Sequence, residues 1–158
     1  PWHGLAVAAA ATGFLVWNWH PARIFLGDIG SIPLGYLLGW LLLSLAVSGH
    51  LQAAIILPLY YLVDATLTLL RRLQRGDKVW QAHREHYYQK AVQNGRSHAQ
   101  VSRAVALTNL ILIGLAVLTA QAVSGSVWPW MGVLVAALIV FALLIWMKRT
   151  TNPADPAI

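Results

Sequence analysis

The chain has 158 residues, of which 58% are hydrophobic and only 10% charged, with a formal net charge of +6 and no cysteine. A soluble domain of that size cannot hide so much apolar surface in one core, so a water-soluble globular fold is excluded. Disulfide and thiolate chemistry go with the cysteines, and no recognition motif accompanies the basic residues, which sets nucleic acid aside as a partner.

The apolar runs predict an all-α polytopic membrane protein with about five transmembrane helices, because crossing a hydrocarbon slab takes about 20 helical residues and backbone in lipid must satisfy itself within a helix. The first run, at about 4–17, is short for a full span, and the chain opens on Pro1 rather than an initiator Met. No basic region precedes it, which argues against a signal peptide. The expectation is the C-terminal part of a larger helical membrane domain, residues 1–150, followed by a frayed tail, 151–158.

Pro21 then breaks the chain and opens a loop, 18–31, in which Gly27 and Gly30 flank Asp28. Glycines at that spacing allow a tight turn and close approach to a bound group, and Ser31 is placed to cap the following helix, whose first amides suit a phosphate. Asp28 precedes 35 residues, 29–63, without a single Asp, Glu, Lys or Arg. A carboxylate at the mouth of a span either caps the helix, pairs with Arg23, or coordinates Mg²⁺ that bridges phosphate oxygens.

Spans are predicted at 32–48 and 51–70, the second carrying Asp64 in its later half. An unpaired carboxylate there is unfavourable by several kcal/mol in most estimates, so Asp64 needs a partner. Arg71 and Arg72 lie about two turns on and meet it only if their side chains reach back. A bond to a neighbouring span, a protonated carboxyl and a substrate-orienting role all fit.

Eight of the eleven basic residues lie between Arg71 and Arg103, against Asp77 and Glu85 alone. By the positive-inside rule this loop, 71–103, is cytoplasmic. Its stretch His83 to Gly95 offers Arg84, His86 and Lys90. The His83/His86 spacing is weak as a metal signal, and histidines beside aromatic residues are commonly interfacial. Two further spans, 104–123 and 128–147, occupy a charge-free run of 44 residues. Alternation then puts Arg23, Asp28, Lys148 and Arg149 on the cytoplasmic side, and the turns at Gly49–His50 and Ser124–Ser126 outside. The basic residues at the membrane would meet lipid headgroups or substrate phosphates.

The segment Asn18 to Gly35, NWHPARIFLGDIGSIPLG, resembles that of the polyprenyl-phosphate N-acetylhexosamine-1-phosphate transferases, a membrane family whose segment reads approximately N-x-x-P-A-[RK]-x-F-x-G-D-x-G-S. The resemblance implies Mg²⁺-dependent transfer (Mn²⁺ can stand in) of a sugar 1-phosphate from a UDP-N-acetylhexosamine to undecaprenyl phosphate, releasing UMP. It implies a bacterial inner membrane location with the active face cytoplasmic. By position, Asp28 looks like the family's metal- and diphosphate-binding aspartate, Asn18 like its asparagine near the cleft, and Arg23, Gly27, Gly30 and Ser31 like the surrounding loop. Asp64 followed by an Arg pair is also a family feature, which favours a substrate-orienting role.

In the basic loop the family carries a stretch close to D-R-x-H-L-H-H-R. Arg84 and His86 match its R-x-H, while His83 replaces the Asp and Tyr88, Gln89 and Lys90 replace the last two histidines and the Arg. Positive charge toward a diphosphate survives in Arg84, His86 and Lys90, and the departure points to the surface-polysaccharide branch. The family's D-D-x-x-D segment and a further N-x-x-x-x-D-like segment do not occur here. A missing N-terminal portion, or a separate partner chain, would have to supply them, and a homodimer is the other association expected. Two other readings are a non-catalytic structural half of a split transferase, and a transport module whose path is lined by Asp28, Asp64 and Asn109.

Overall fold

A computed structural model describes residues 2–19, 21–81, 84–122 and 126–149. The described residues are all-α, with helices α1 (Trp2–Asn18), α2 (Gly27–Val47), α3 (Leu51–Ile56), α4 (Leu59–Gln74), α5 (Tyr87–Gln93), α6 (His98–Ala120) and α7 (Trp128–Lys148). The chain divides into two compact units, 1–49 and 50–158.

In the first unit α1 and α2 bury no residue of their own. Both are apolar all round, and their hydroxyls are satisfied within the helix: Thr12 Oγ1 donates to Ala8 O at 2.7 Å and Ser44 Oγ to Trp40 O at 2.8 Å. That is how a helix suited to lipid disposes of its polar groups. An apolar groove of ≈ 420 Å³ lies between them, with Ala6, Ala10, Phe14, Pro33 and Leu37 in its walls. The ring of His3 meets Trp40 edge-on at 5.4 Å.

The second unit is built on the antiparallel pair α6 and α7. Gly132 of α7 lies so close to α6 that a Cβ there would come within 2.5 Å of Thr119 Cγ2, and α3 joins the same contact through Ile56. Ile56, Leu112, Ala136, Val140 and Met147 have no exposed surface. Ser97 caps α6 reciprocally with Gln100: Gln100 N donates to Ser97 Oγ at 3.1 Å and Ser97 N to Gln100 Oε1 at 2.9 Å. At the same end of the hairpin pair, Arg96 Nη2 donates to Trp146 O at 3.0 Å, its guanidinium 3.8 Å from the Trp146 ring centroid. A cation there satisfies the last carbonyls of α7.

Three helices among the described residues, α2, α6 and α7, are long and apolar enough to cross a membrane. The run expected as one span at 51–70 is divided at Leu57–Pro58 into α3 and α4, since Pro58 has no N–H to continue the ladder. The loop expected at 71–103 is shorter: α4 runs to Gln74, α6 begins at His98, and α5 lies between. Arg71, Arg72 and Arg103 are therefore helical. The segment expected outside at 124–126 and the tail 151–158 fall largely or wholly outside the described residues.

Candidate functional site

In the first unit the described residues between α1 and α2 form a turn that runs directly into α2. The chain reverses after α1 through Arg23 N, which donates to Trp17 O at 2.9 Å, and Asn18 Nδ2, which donates to Ile24 O at 2.8 Å. Asn18 thus commits its amide to shaping the turn. Gly27 has φ +57°, a backbone state that favours glycine, and from it α2 begins. A side chain on Gly30 would collide with Leu26, its Cβ falling 2.4 Å from Leu26 Cδ1 and 2.7 Å from Cγ.

The expected helix start was five residues too late. Ser31 lies in the second turn of α2 and caps nothing; Leu26 occupies the capping position without a side-chain bond. The physical reason is the left-handed Gly27, which lets the helix start without a polar cap. Asp28 consequently sits in the first turn of α2, where a negative charge complements the helix dipole. It is exposed, and among the described residues its carboxylate has neither a hydrogen bond nor an ion pair. Arg23 does not pair with it; the guanidinium lies 6.0 Å from the Trp17 ring centroid.

In the second unit the organising element is α4, whose buried face is Tyr60, Asp64, Thr68 and Arg72, a polar stripe at every fourth residue. Asp64 is 4% exposed. Its Oδ1 accepts from Tyr87 N at 3.0 Å and Thr68 Oγ1 at 3.3 Å, and faces His86 Nδ1 at 3.5 Å. The partner of the buried carboxylate is therefore the start of α5, not the arginine pair.

The arginines hold the same segment from elsewhere. Arg72 forks onto carbonyls, donating to Lys78 O at 2.9 Å, Val79 O at 3.2 Å and Gln81 O at 3.3 Å. Arg71 donates to the Tyr87 hydroxyl and lies 4.7 Å from that ring's centroid. Arg75 closes the loop with bonds to Asp77 Oδ2 at 2.7 Å and Glu85 Oε2 at 2.6 Å. That hydrogen bond from Arg75 above all, with the positive charge of Arg75 and Lys90, holds the Glu85 carboxyl below the usual carboxylate range.

Of the residues expected to meet substrate phosphates, Arg84 is exposed and makes no ion pair among the described residues, whereas Lys90 lies 3.5 Å from Glu85 Oε2. His86 is set against Asp64 and stacks on Tyr88 at 5.9 Å. His83 lies outside the described residues. Among those described, no group of three or more His, Asp or Glu side chains could hold a metal ion. Asn109, a candidate for an ion path, donates instead to the Tyr61 hydroxyl at 2.8 Å. Tyr87 and the clamp made by Arg71 and Arg72 were not singled out from the sequence. The i, i+4 spacing of Tyr60, Asp64, Thr68 and Arg72 was the signal for the stripe.

Residues 2–46 match the family described as Glycosyl transferase family 4. Over 91% of its length the chain is 29% identical to a probable undecaprenyl-phosphate N-acetylglucosaminyl 1-phosphate transferase of Bacillus subtilis, covering 39% of that protein. It is 27% identical over 96% of its length to a decaprenyl-phosphate N-acetylglucosaminephosphotransferase of Mycolicibacterium smegmatis, covering 41%. A stretch of 37 residues is 54% identical to a phospho-N-acetylmuramoyl-pentapeptide-transferase of Moorella thermoacetica, 23% of this chain and 12% of that one. The chain therefore spans about two fifths of the length of the relatives it matches along most of its own. No solved structure matches it. At moderate identity, and over part of the chain, the protein is similar to polyprenyl-phosphate sugar-1-phosphate transferases.

Proposed function

We propose that this chain, as part of a longer polypeptide, serves the transfer of an N-acetylhexosamine 1-phosphate from a UDP-sugar to undecaprenyl phosphate at the cytoplasmic face of a bacterial inner membrane. The reaction would open cell-wall or surface-polysaccharide synthesis. An oxygen of the lipid phosphate attacks the β-phosphorus of the nucleotide sugar, and the bridging P–O bond breaks toward UMP. The sugar phosphate is left on the lipid as a diphosphate.

The observation that carries this reading is Asp28: an exposed carboxylate without a partner among the described residues, in the first turn of an apolar helix, inside the NWHPARIFLGDIGS segment. A charge held at a membrane span without compensation from its own surroundings is characteristic of a ligand-handling group.

Mg²⁺ characteristically takes one or two carboxylates and completes its octahedron with phosphate oxygens and water. Asp28 fits as one such ligand, while no group of three liganding side chains gathers among the described residues. When bound, the ion supplies charge neutralisation to the diphosphate. The chain's own contribution is positional. Gly27 supplies the left-handed backbone from which α2 starts, Gly30 leaves room for the Leu26 side chain packed over it, and the first amides of α2 add positive potential beside Asp28. In the second unit, Arg84, His86 and Lys90 are the basic groups available to substrate phosphates. The five-span arrangement belongs to the same proposal, with α1 and the divided α3–α4 pair as the two further crossings. It rests on the basic residues of α4, α5, α6 and α7 falling toward one end of the second unit.

The test is UMP release by the full-length protein in lipid with undecaprenyl phosphate, Mg²⁺ and a panel of UDP-N-acetylhexosamines. Release with one of the sugars names the donor; no release with any of them from folded protein removes the proposal.

A further inference from the structure

Helix α4 is amphipathic in the opposite sense to a helix on a water-soluble protein. Its buried side is the polar one, Tyr60, Asp64, Thr68 and Arg72. Leu62, Leu69, Leu70 and Leu73 lie on the other side at helical spacing and are 45–53% exposed. Ala65 and Thr66, between them on the same side, are exposed as well.

The leucine row ends where basic residues begin. Over 71–81 the chain carries Arg71, Arg72, Arg75 and Lys78 against Asp77 alone. Three of these cations are committed within the protein: Arg71 to the Tyr87 hydroxyl, Arg72 to three loop carbonyls, and Arg75 to Asp77 and Glu85. Lys78 is exposed, and among the described residues its ammonium makes no ion pair. Two positions on, the Trp80 side chain stands out from the protein, 81% exposed.

That exposure is built in. Arg72, only 5% exposed, donates to the carbonyls of Lys78, Val79 and Gln81, on both sides of Trp80. Gln81 N closes the turn by donating to Lys78 O at 3.0 Å. A buried guanidinium thus holds the turn that carries an exposed indole and a free ammonium, and the turn is ordered before any partner arrives.

We propose that the outer face of α4 and the 78–81 turn form a docking surface for an anionic bilayer leaflet: the leucine row lies against acyl chains, Trp80 inserts at the level of the headgroups, and Lys78 binds the phosphate of an anionic phospholipid. Charge selects this occupant. Another protein helix could cover the leucines, but an apolar row followed by a tryptophan and an uncommitted lysine is the pattern of a helix leaving hydrocarbon for an anionic surface. The indole suits that position because its body is apolar and its N–H reaches polar groups, and the lysine stem lies along apolar surface while its charge stays among phosphates. The inference uses the membrane character of the chain and is independent of the reaction it serves.

The experiment uses the full-length protein labelled with 5-fluorotryptophan, in phosphatidylcholine nanodiscs containing a minority of phosphatidylglycerol. The Trp80 ¹⁹F signal is identified by its absence in Trp80→Phe, a change at an exposed position that leaves the melting temperature unaltered. Two paramagnetic probes are compared: a nitroxide on a lipid acyl chain close to the headgroup, and a water-soluble gadolinium chelate. The lipid nitroxide should broaden the Trp80 signal and the chelate should not, and the nitroxide should act more strongly on phosphatidylglycerol than on phosphatidylcholine. A lysine beside an anionic surface is worth about a fivefold preference, so Lys78→Gln should lower the preference for phosphatidylglycerol by about that factor. Broadening by the chelate would put Trp80 in water and overturn the proposal. A signal insensitive to both probes would mean that another part of the polypeptide covers this face, and would overturn it equally. Equal broadening from the two lipids, or a preference untouched by Lys78→Gln, would overturn the recognition of an anionic headgroup.

Discussion

Replacing Arg72 by Met keeps most of the buried stem and removes the guanidinium. Three carbonyls then lose their donor: Lys78 O at 2.9 Å, Val79 O at 3.2 Å and Gln81 O at 3.3 Å. Hydrogen bonds to a charged group contribute roughly 1.5–3 kcal/mol each, so three at the low end sum to about 4.5 kcal/mol. Two of the three are long, and all the carbonyls regain water when the loop opens, which lowers the expected loss to about 3 kcal/mol. At 1.4 kcal/mol per factor of ten, that is a rise of about a hundredfold in the local opening equilibrium.

Native-state hydrogen exchange reads it directly at the amides of Asp77 and Gln81, which donate to Arg72 O and Lys78 O respectively, both at 3.0 Å. Amides in the middle of α6, around the buried Leu112, should not respond. Arg72→Lys should fall between the two, because a point charge cannot serve three carbonyls as a planar fork does. Exchange at Asp77 and Gln81 that stays at the wild-type rate in Arg72→Met would refute the idea that this side chain holds the loop.

Gly132→Val should destabilise the α6–α7 pair by about 1–3 kcal/mol, since a Cβ there meets Thr119 Cγ2 at 2.5 Å, and Thr119→Ala should recover part of it in thermal melts. Tyr61→Phe should lower stability by only about 0.6 kcal/mol, the mean found for such bonds between membrane helices, because it removes the 2.8 Å bond from Asn109; a loss of several kcal/mol would point to a larger polar network. Glu85 is held below the usual carboxylate range by Arg75, so its contribution is fully present above the ordinary carboxylate pKa and is lost as pH falls through the lowered value. Glu85→Gln should therefore melt slightly below wild type at neutral pH, and the gap should close in acid.

The long helices were legible because absence of charge over 29–63 and 104–147 is a property of sequence alone, and lipid imposes helix on such runs. Hydropathy is blind to what divided one of them: Leu57 and Pro58 sit inside an apolar run, and only the missing proline N–H separates α3 from α4. The start of α2 was misplaced because Ser31 has the chemistry of a cap, whereas the chain uses the conformation of Gly27. Asp28 was found through its motif, and its lack of a partner among the described residues could be learned only from the surroundings. Asp64 was recognisable as a carboxylate in need of compensation, but a partner 23 positions along the chain leaves no trace in local spacing. For the same reason α5 was missed: seven residues with no strong periodicity are held as a helix beside α4 by Asp64 and Arg71.

The most direct measurement is UMP release by the full-length protein with Asp28→Asn beside the wild type, each checked for fold by its melting temperature and run over a range of Mg²⁺. An exposed carboxylate that handles the diphosphate predicts that the variant folds normally and loses nearly all turnover at every Mg²⁺ concentration. A variant that turns over at the wild-type rate would contradict the assignment of Asp28 and, with it, the reading of the 18–31 segment as the site.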